Sequence, residues 1–396
     1  MNKSLKRVLI IYPHNFFEKN SGINTMFYYF SKSLKQNGFD IDLFSLKNFE
    51  CKWEKNYPFD KKIVSNLYLY DFCQNNKISL TNKIKSKITN IFKVKKGNHN
   101  NQEIENLPDY ASPEMKNELK KILSTQRYSH ILVGYAYWAN LLKDIDVSDA
   151  VKVISVNDWL TVQMKDYFKG KINIPNFIKD EIDRINLFDI SIEISTFEHQ
   201  LFSQLASHPK HYLIPIFVEK HKIIKSKNLK YDIAFIAHRN QYNIEGIKWF
   251  INEVMPLIPK IKLLIVGKVN TEIGVSKNKN ITQIEYIENI SNAYKNTKIV
   301  ICPLFGGTGL KVKIIEALSY GTPVVCTPQS LVGFPYESNN GISVASTPTE
   351  FAYQITKLIS NQKLYKIEST NAYNFFKKYF STNVATAKLK EIFNKK

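Results

Sequence analysis

The chain has 396 residues, 44% hydrophobic and 13% aromatic, enough apolar side chain for more than one core. No apolar run approaches the roughly 20 residues that span a bilayer, and the four cysteines (Cys51, Cys73, Cys302, Cys326) lack the spacing of a metal site or a disulfide framework. The net charge of +20 points to an anionic partner (phosphorylated ligand, membrane face or nucleic acid), over a background rich in Lys, Asn and Ile throughout.

The opening "MNKSLKRVLIIYPH" has a basic start but a run of only five apolar residues before Pro13, short of the about 7–15 of a secretory segment. "VLIIY" is read as a first strand, and a cytoplasmic location is expected. "HNFFEKNSGIN" reads as a loop holding Ser21 and Gly22. "TMFYYFSKSLKQNG" is a helix ended by Gly38, and "FDIDLFS" a second strand. Buried strands are expected at "SHILVGY", "AVKVISVND" and "LFDISIEIS", each with a helical stretch after it, and "HYLIPIF" follows.

One segment breaks the alternation. Ser79 to Gly97 carries six lysines and no acid, with Leu80, Ile84, Ile88 and Ile91 at helical spacing. A basic helix with one apolar stripe fits an interfacial contact with an anionic membrane through Leu80 to Lys96. It also fits a solvated insertion whose stripe packs on its own domain.

"EKHKIIKSKNLK" is polar, basic and without apolar periodicity, as a linker would be. After it the alternation restarts: "YDIAFIAH" as strand, "NIEGIKWFINEVMPLI" as helix, then strands "IKLLIVGK" and "ITQIEYI" and a short helix "SNAYKNT". "KIVICPL" and "TPVVCT" are strands flanking a glycine turn and a helix, and "GISVAS" and three helices from Pro348 close the chain. Two blocks of alternating strand and helix predict an α/β protein with two doubly wound, parallel, Rossmann-like sheets facing a cleft. The expected domains are 1–217 with a basic insertion at about 79–105, a linker at 218–230, a second domain at 231–375, and C-terminal helices at 376–396 returning toward the first domain.

The chemistry concentrates in "CPLFGGTGLKVKIIEALSYGTPVVCT", where three of the chain's 14 glycines fall within four positions. A turn from Gly306 to Gly309 lets a pyrophosphate approach backbone N–H groups closely. Lys311 and Lys313 then place positive charge in the first helical turns, and Glu316 shares a face with Lys313. A carboxylate there can accept two ribose hydroxyls; the alternative is a tight turn and a surface Lys313–Glu316 pair. Dinucleotide binding is not expected: no G-x-G-x-x-G follows Val8 to Tyr12, and no acid ends the second strand before Glu50. No P-loop motif occurs either, and basic stretches interleaved with aromatics are lacking, so nucleic acid is not expected as a partner. No cofactor or metal is implied.

"GTGLKVKIIEALSYGTPVV" resembles the nucleotide-sugar motif of GT-B fold glycosyltransferases, particularly the retaining family four (group 1) enzymes. "IAHRNQYNIEGIKWFINEVMPLI" resembles the first β–α unit of their C-terminal domain, and "SGINTMFYYFSKSLKQNGFDIDLFS" their opening β–α–β. "YAYWANLL" with "VISVNDWL" resembles their mid-domain strands. The likeness covers nearly the whole chain and is weakest from about Phe49 to Tyr128. It implies sugar transfer from a nucleoside diphosphate sugar to a glycan or lipid-linked acceptor. By position, Glu316 would hold the ribose, the backbone of Gly306, Gly307, Thr308, Gly309 and Leu310 the diphosphate, and Lys313 its charge. Arg239 would be a second phosphate ligand, and Ser21 and Gly22 would close on the donor.

Two positions depart from the family pattern. Thr308 stands where many members have a Glu on the transferred sugar, and Asn157 followed by Asp158 where some have a His. Both changes fall on sugar-contacting positions, which leaves open a degenerate relative that binds glycan or nucleotide without turnover. Asp158 is a candidate catalytic group or a helix N-cap.

Overall fold

A computed structural model describes residues 6–18, 22–47, 53, 59–71, 103–147, 149–221 and 229–394. Two compact units divide the chain. One holds residues 1–194, 198–213 and 393–396, the other 195–197 and 214–392. Ser21, Cys51, Cys73, the segment Leu80 to Lys96 and most of the expected linker (residues 222–228) lie outside the described residues.

The first unit is built on seven parallel strands: β1 (Arg7–Ile11), β2 (Asp40–Lys47), β3 (Asn66–Asp71), β4 (His130–Gly134), β5 (Val151–Val156), β6 (Ile190–Glu193) and β7 (Lys210–Leu213). Their order is β3-β2-β1-β4-β5-β6-β7. Central strands are buried on both faces, so β1 and β4 read as continuous apolar runs rather than as alternation. Helix α1 (Gly22–Gln36) covers the sheet with Met26, Phe27, Phe30 and Leu34, all buried. Strand β3 and helix α2 (Pro113–Thr125) fall in the stretch where the likeness is weakest. A cap signal marks α2: Ser112 accepts from the Met115 N–H, and Pro113 opens the helix.

The stretch Tyr135–Leu142 corrects the likeness of "YAYWANLL" to a mid-domain strand and forms the helical stretch expected after "SHILVGY". Tyr135 adopts φ 72°, and Ala136–Leu141 wind into a 3-10 helix instead of extending β4. A short apolar run is compatible with either state, and the turn at Tyr135 decides it.

Helices α3 (Leu160–Tyr167), α4 (Ile174–Ile185) and α5 (Thr196–Leu205) complete the described helices up to β7. The end of the last helix packs in this unit: the Phe393 ring lies 4.7 Å from His130 and 5.9 Å from Phe30.

The second unit carries six parallel strands: β8 (Tyr231–Ile236), β9 (Leu263–Val266), β10 (Ile281–Ile284), β11 (Thr297–Cys302), β12 (Val324–Cys326) and β13 (Ile342–Val344), in the order β10-β9-β8-β11-β12-β13. The chain runs outward from β8 on one side, then returns to place β11 on the other. That reversal makes a switch point at the carboxyl ends of β8 and β11, where flanking loops diverge and leave room for a ligand. Cys302 and Cys326 sit in register on neighbouring strands, both buried and free. Helices α6 (Gln241–Trp249), α7 (Ser291–Lys295), α8 (Val312–Ser319), α9 (Pro348–Ser360) and α10 (Gln362–Tyr379) accompany the sheet, and α11 (Thr382–Asn394) follows α10. The expected single helix through Ile258 is broken: α6 passes into a π turn at Phe250–Val254 and then a 3-10 turn at Met255–Leu257.

Candidate functional site

The glycine turn lies at the switch point of the second sheet, between the end of β11 and the start of α8. Gly307 and Gly309 have φ of 91° and 70°, a left-handed geometry that side chains with a Cβ resist. Gly306 is required for another reason. A Cβ there would lie 2.5 Å from the Tyr242 ring, which also covers Gly307. The crowded turn therefore follows from packing against α6, as well as from backbone freedom.

Lys311, at the N-cap of α8, turns back into this loop. Its Nζ donates to the carbonyls of Gly307, Thr308 and Gly309, each at 2.9 Å, and the residue is 8% exposed. Lys313 points elsewhere. Its ammonium donates to Asn243 Oδ1 and stands 4.6 Å from the centre of the Phe235 ring. Burial lowers its pKa to about 8. Asn243 is itself fixed by donating Nδ2 to the His238 carbonyl at 2.9 Å, so the loop after β8 sets the lysine's position.

Glu316, one turn along α8, is half-buried and accepts from the Tyr294 hydroxyl at 2.7 Å. Burial raises its pKa, opposed by the Tyr294 hydrogen bond and the charge of Lys313. The surface-pair alternative is not what forms: Lys313 and Glu316 each take a different partner. Arg239, after β8, is 61% exposed and pairs with Glu272 at 3.0 Å. Thr308 is half-buried in the turn and Leu310 is buried beneath it. Sequence spacing had no means of revealing Tyr294, Asn243 or Tyr242, which lie far from the motif in the chain.

The remaining candidates belong to the first unit. Gly22 is the first residue of α1. Asn157, just past β5, is buried; its Oδ1 accepts from Ser155 Oγ at 2.9 Å, and its Nδ2 has no hydrogen-bond partner. Asp158 is half-buried beside it. The N-cap position of α3 is Trp159, not Asp158, and the first N–H groups of that helix go to Glu181. Glu181 accepts from Leu160 N at 2.8 Å, Thr161 N at 2.9 Å and Thr161 Oγ1 at 2.7 Å. Burial pushes its carboxyl pKa up to about 7. Among the described residues no group of three His, Cys, Asp or Glu side chains is placed to hold a metal ion.

Two parallel-sheet domains, each with its switch point, are the fold of the GT-B glycosyltransferases. The chain matches sucrose-phosphate synthase from Thermosynechococcus elongatus with a TM-score of 0.71 at 13% identity, covering 98% of each chain. It matches a mutant of S. aureus TarM, solved with fondaparinux, alpha-GlcNAc-glycerol and UDP, with a TM-score of 0.69 at 14% identity over 98% of this chain and 100% of that one. Anabaena HepE in complex with UDP gives 0.66 at 12% identity, over 98% and 99%. In sequence, the chain is 24% identical over 306 residues to a Klebsiella pneumoniae protein described as an uncharacterized 44.6 kDa protein in a cps region, covering 70% of this chain and 77% of that one. Residues 230–361, which contain the whole turn and α8, match the family "Glycosyl transferases group 1". The chain has the GT-B fold, and within its second unit residues 230–361 match the group 1 glycosyltransferase family.

Proposed function

We propose that the enzyme moves a sugar from a nucleoside diphosphate sugar to a hydroxyl of a glycan or lipid-linked glycan, with retention of configuration. The diphosphate lies on the Gly306–Leu310 backbone, Lys313 balances its charge, and Glu316 accepts the ribose hydroxyls. Arg239 exchanges Glu272 for phosphate when donor binds. During transfer the bond from the anomeric carbon to phosphate oxygen breaks, a bond to the acceptor oxygen forms, and the acceptor hydroxyl's proton passes to the departing diphosphate. Negative charge then grows on the departing diphosphate, where N–H dipoles and an ammonium already in place stabilise it. In the first unit, Asp158 and Asn157 are the candidates for sugar contact, with Thr308 a third in the turn.

One observation carries this reading: a half-buried cation and a half-buried carboxylate stand one turn apart at the sheet's switch point, each hydrogen-bonded to its own neighbour rather than ion-paired with the other. The UDP present in the TarM and HepE structures supports a nucleotide-linked donor. The cps-region relative supports glycan assembly as the setting.

We further propose work at the inner face of a membrane, reached through Leu80 to Lys96. Six lysines there and the apolar spacing support this, and no described helix is long and apolar enough to cross a bilayer. The deciding experiment measures nucleotide release from a panel of nucleotide sugars, with and without a lipid-linked acceptor. Release with one donor, enhanced by acceptor and lost in Asp158→Asn, is expected. Nucleotide binding without release from any donor would instead mark a degenerate binding protein, the alternative that the residues at Thr308 and Asn157 raise.

A further inference from the structure

We infer that Lys311 is a positioning residue, which acts by holding the turn's backbone in the form that receives phosphate; the inference rests on the donor-site reading above. An ammonium has three N–H donors. Those of Lys311 are directed to three successive carbonyls, of Gly307, Thr308 and Gly309, all at 2.9 Å. The residue is 8% exposed, so this charge is satisfied inside the protein and does not reach toward a ligand.

The consequence follows from peptide geometry. In a trans peptide the C=O and the following N–H point in opposite directions, and the described residues include no cis peptide bond. Three carbonyls drawn onto Lys311 therefore aim the N–H groups of Thr308, Gly309 and Leu310 away from it, to the other side of the turn. Positive φ at Gly307 and Gly309 alternates with ordinary φ at Thr308 and Leu310, the arrangement in which successive N–H groups form a concave anion receptor. Without the ammonium, the three carbonyls would lose the donor that draws them together, although Gln329 Nε2 also reaches the Gly307 carbonyl at 3.5 Å. Phosphate would then have to order the turn as it bound. The two lysines of the motif thus divide the work: Lys313 offers charge to the ligand, and Lys311 offers it to the backbone.

The test compares wild type, Lys311→Met and Lys313→Gln. Affinity for a panel of nucleoside diphosphates, and for the matching nucleosides, is measured by calorimetry, and amide hydrogen exchange over residues 307–310 is followed in the ligand-free proteins. Lys311→Met is expected to lose at least about tenfold in diphosphate affinity, roughly the worth of one charge-assisted hydrogen bond. Nucleoside affinity should stay within about twofold, and ligand-free exchange across the turn should rise. Lys313→Gln should weaken diphosphate binding with ligand-free exchange unchanged. Unchanged diphosphate affinity in Lys311→Met overturns the inference. So does lost affinity with unchanged exchange, which would mean that Lys311 touches phosphate itself. If Lys311→Met does not fold, Lys311→Arg keeps the charge but replaces three tetrahedral donors by a planar fork. It should show the same two changes to a smaller degree, and neither changing overturns the proposal. If wild type binds no nucleoside diphosphate, the donor-site reading fails. Raised exchange in the Lys311 variant would still establish its hold on the backbone.

Discussion

The Tyr294 hydroxyl donates to Glu316 Oε2 at 2.7 Å across 22 residues of sequence, so a tyrosine on α7 orients the carboxylate proposed to read the ribose. Tyr294 is fully buried and stacked on Tyr320 at 4.9 Å, which leaves its ring little freedom. The bond fixes one carboxylate oxygen and with it the direction of the other.

Glu316→Gln is expected to weaken nucleotide binding by about 1.5–3 kcal/mol, roughly 10- to 150-fold, because a charged acceptor is lost. Tyr294→Phe keeps the buried ring and removes only the hydroxyl, so its loss should be about 0.5–1.5 kcal/mol. Calorimetry on both variants, with circular dichroism to verify folding, decides the matter. Unchanged affinity in folded Glu316→Gln would remove this residue from the site.

Lys313 gives a pH signature. Its pKa falls from the ordinary lysine value to about 8 through burial, so the charge proposed to bind diphosphate is lost as pH rises through about 8. Diphosphate affinity should therefore drop between pH 7 and 9 in wild type and stay flatter in Lys313→Gln. The same depression makes the unfolded chain bind more protons between about 8 and the unfolded lysine value. This group's contribution to stability accordingly rises with pH over that window, with the charged form disfavoured below it. Parallel pH slopes of affinity in the two proteins would show that the lysine does not meet phosphate.

Gly306→Ala should weaken nucleotide binding and lower the melting temperature, since its Cβ would sit 2.5 Å from the Tyr242 ring. Overpacking of this kind costs about 1–3 kcal/mol. Gly306 does not need a left-handed backbone, so trimming the ring in Gly306→Ala/Tyr242→Ser should restore much of the loss. Failure of that rescue would place the defect in the backbone instead.

The basic segment has its own test. Each lysine near an anionic surface contributes about 1 kcal/mol, and the attraction is screened over roughly 8 Å at physiological salt. The protein should sediment with anionic but not neutral vesicles. High salt should release it, as should changing Lys83, Lys85, Lys87, Lys93, Lys95 and Lys96 to Gln. Attachment that persists in the sixfold variant would locate the contact elsewhere.

Much of the fold was legible in local pattern. Strands such as β1, β4 and β11 are buried on both faces, so hydrophobicity runs unbroken through them, and residues such as Gly38 and Gly321 mark helix ends. Edge strand β3 carries an apolar run too, Leu67 to Tyr70, but it is exposed or half-exposed along most of its length and lies where the family likeness is weakest, and it was not expected as a strand. At Tyr135 the apolar content was read correctly and the backbone state was not, because burial alone does not separate strand from 3-10 helix.

The sequence by itself determined which residues share a face: helical spacing puts Lys313 and Glu316 on one side of α8, and the glycines permit the turn before it. Only the tertiary structure decided whom those residues meet. Lys313 goes to Asn243, Glu316 to Tyr294, and Lys311 back into the turn, although both lysines look alike in sequence. The reason is physical. Spacing along a helix sets direction within about one turn, whereas partners come from sheet order, which sets β8 beside β11 with β9 and β10 between them in the chain.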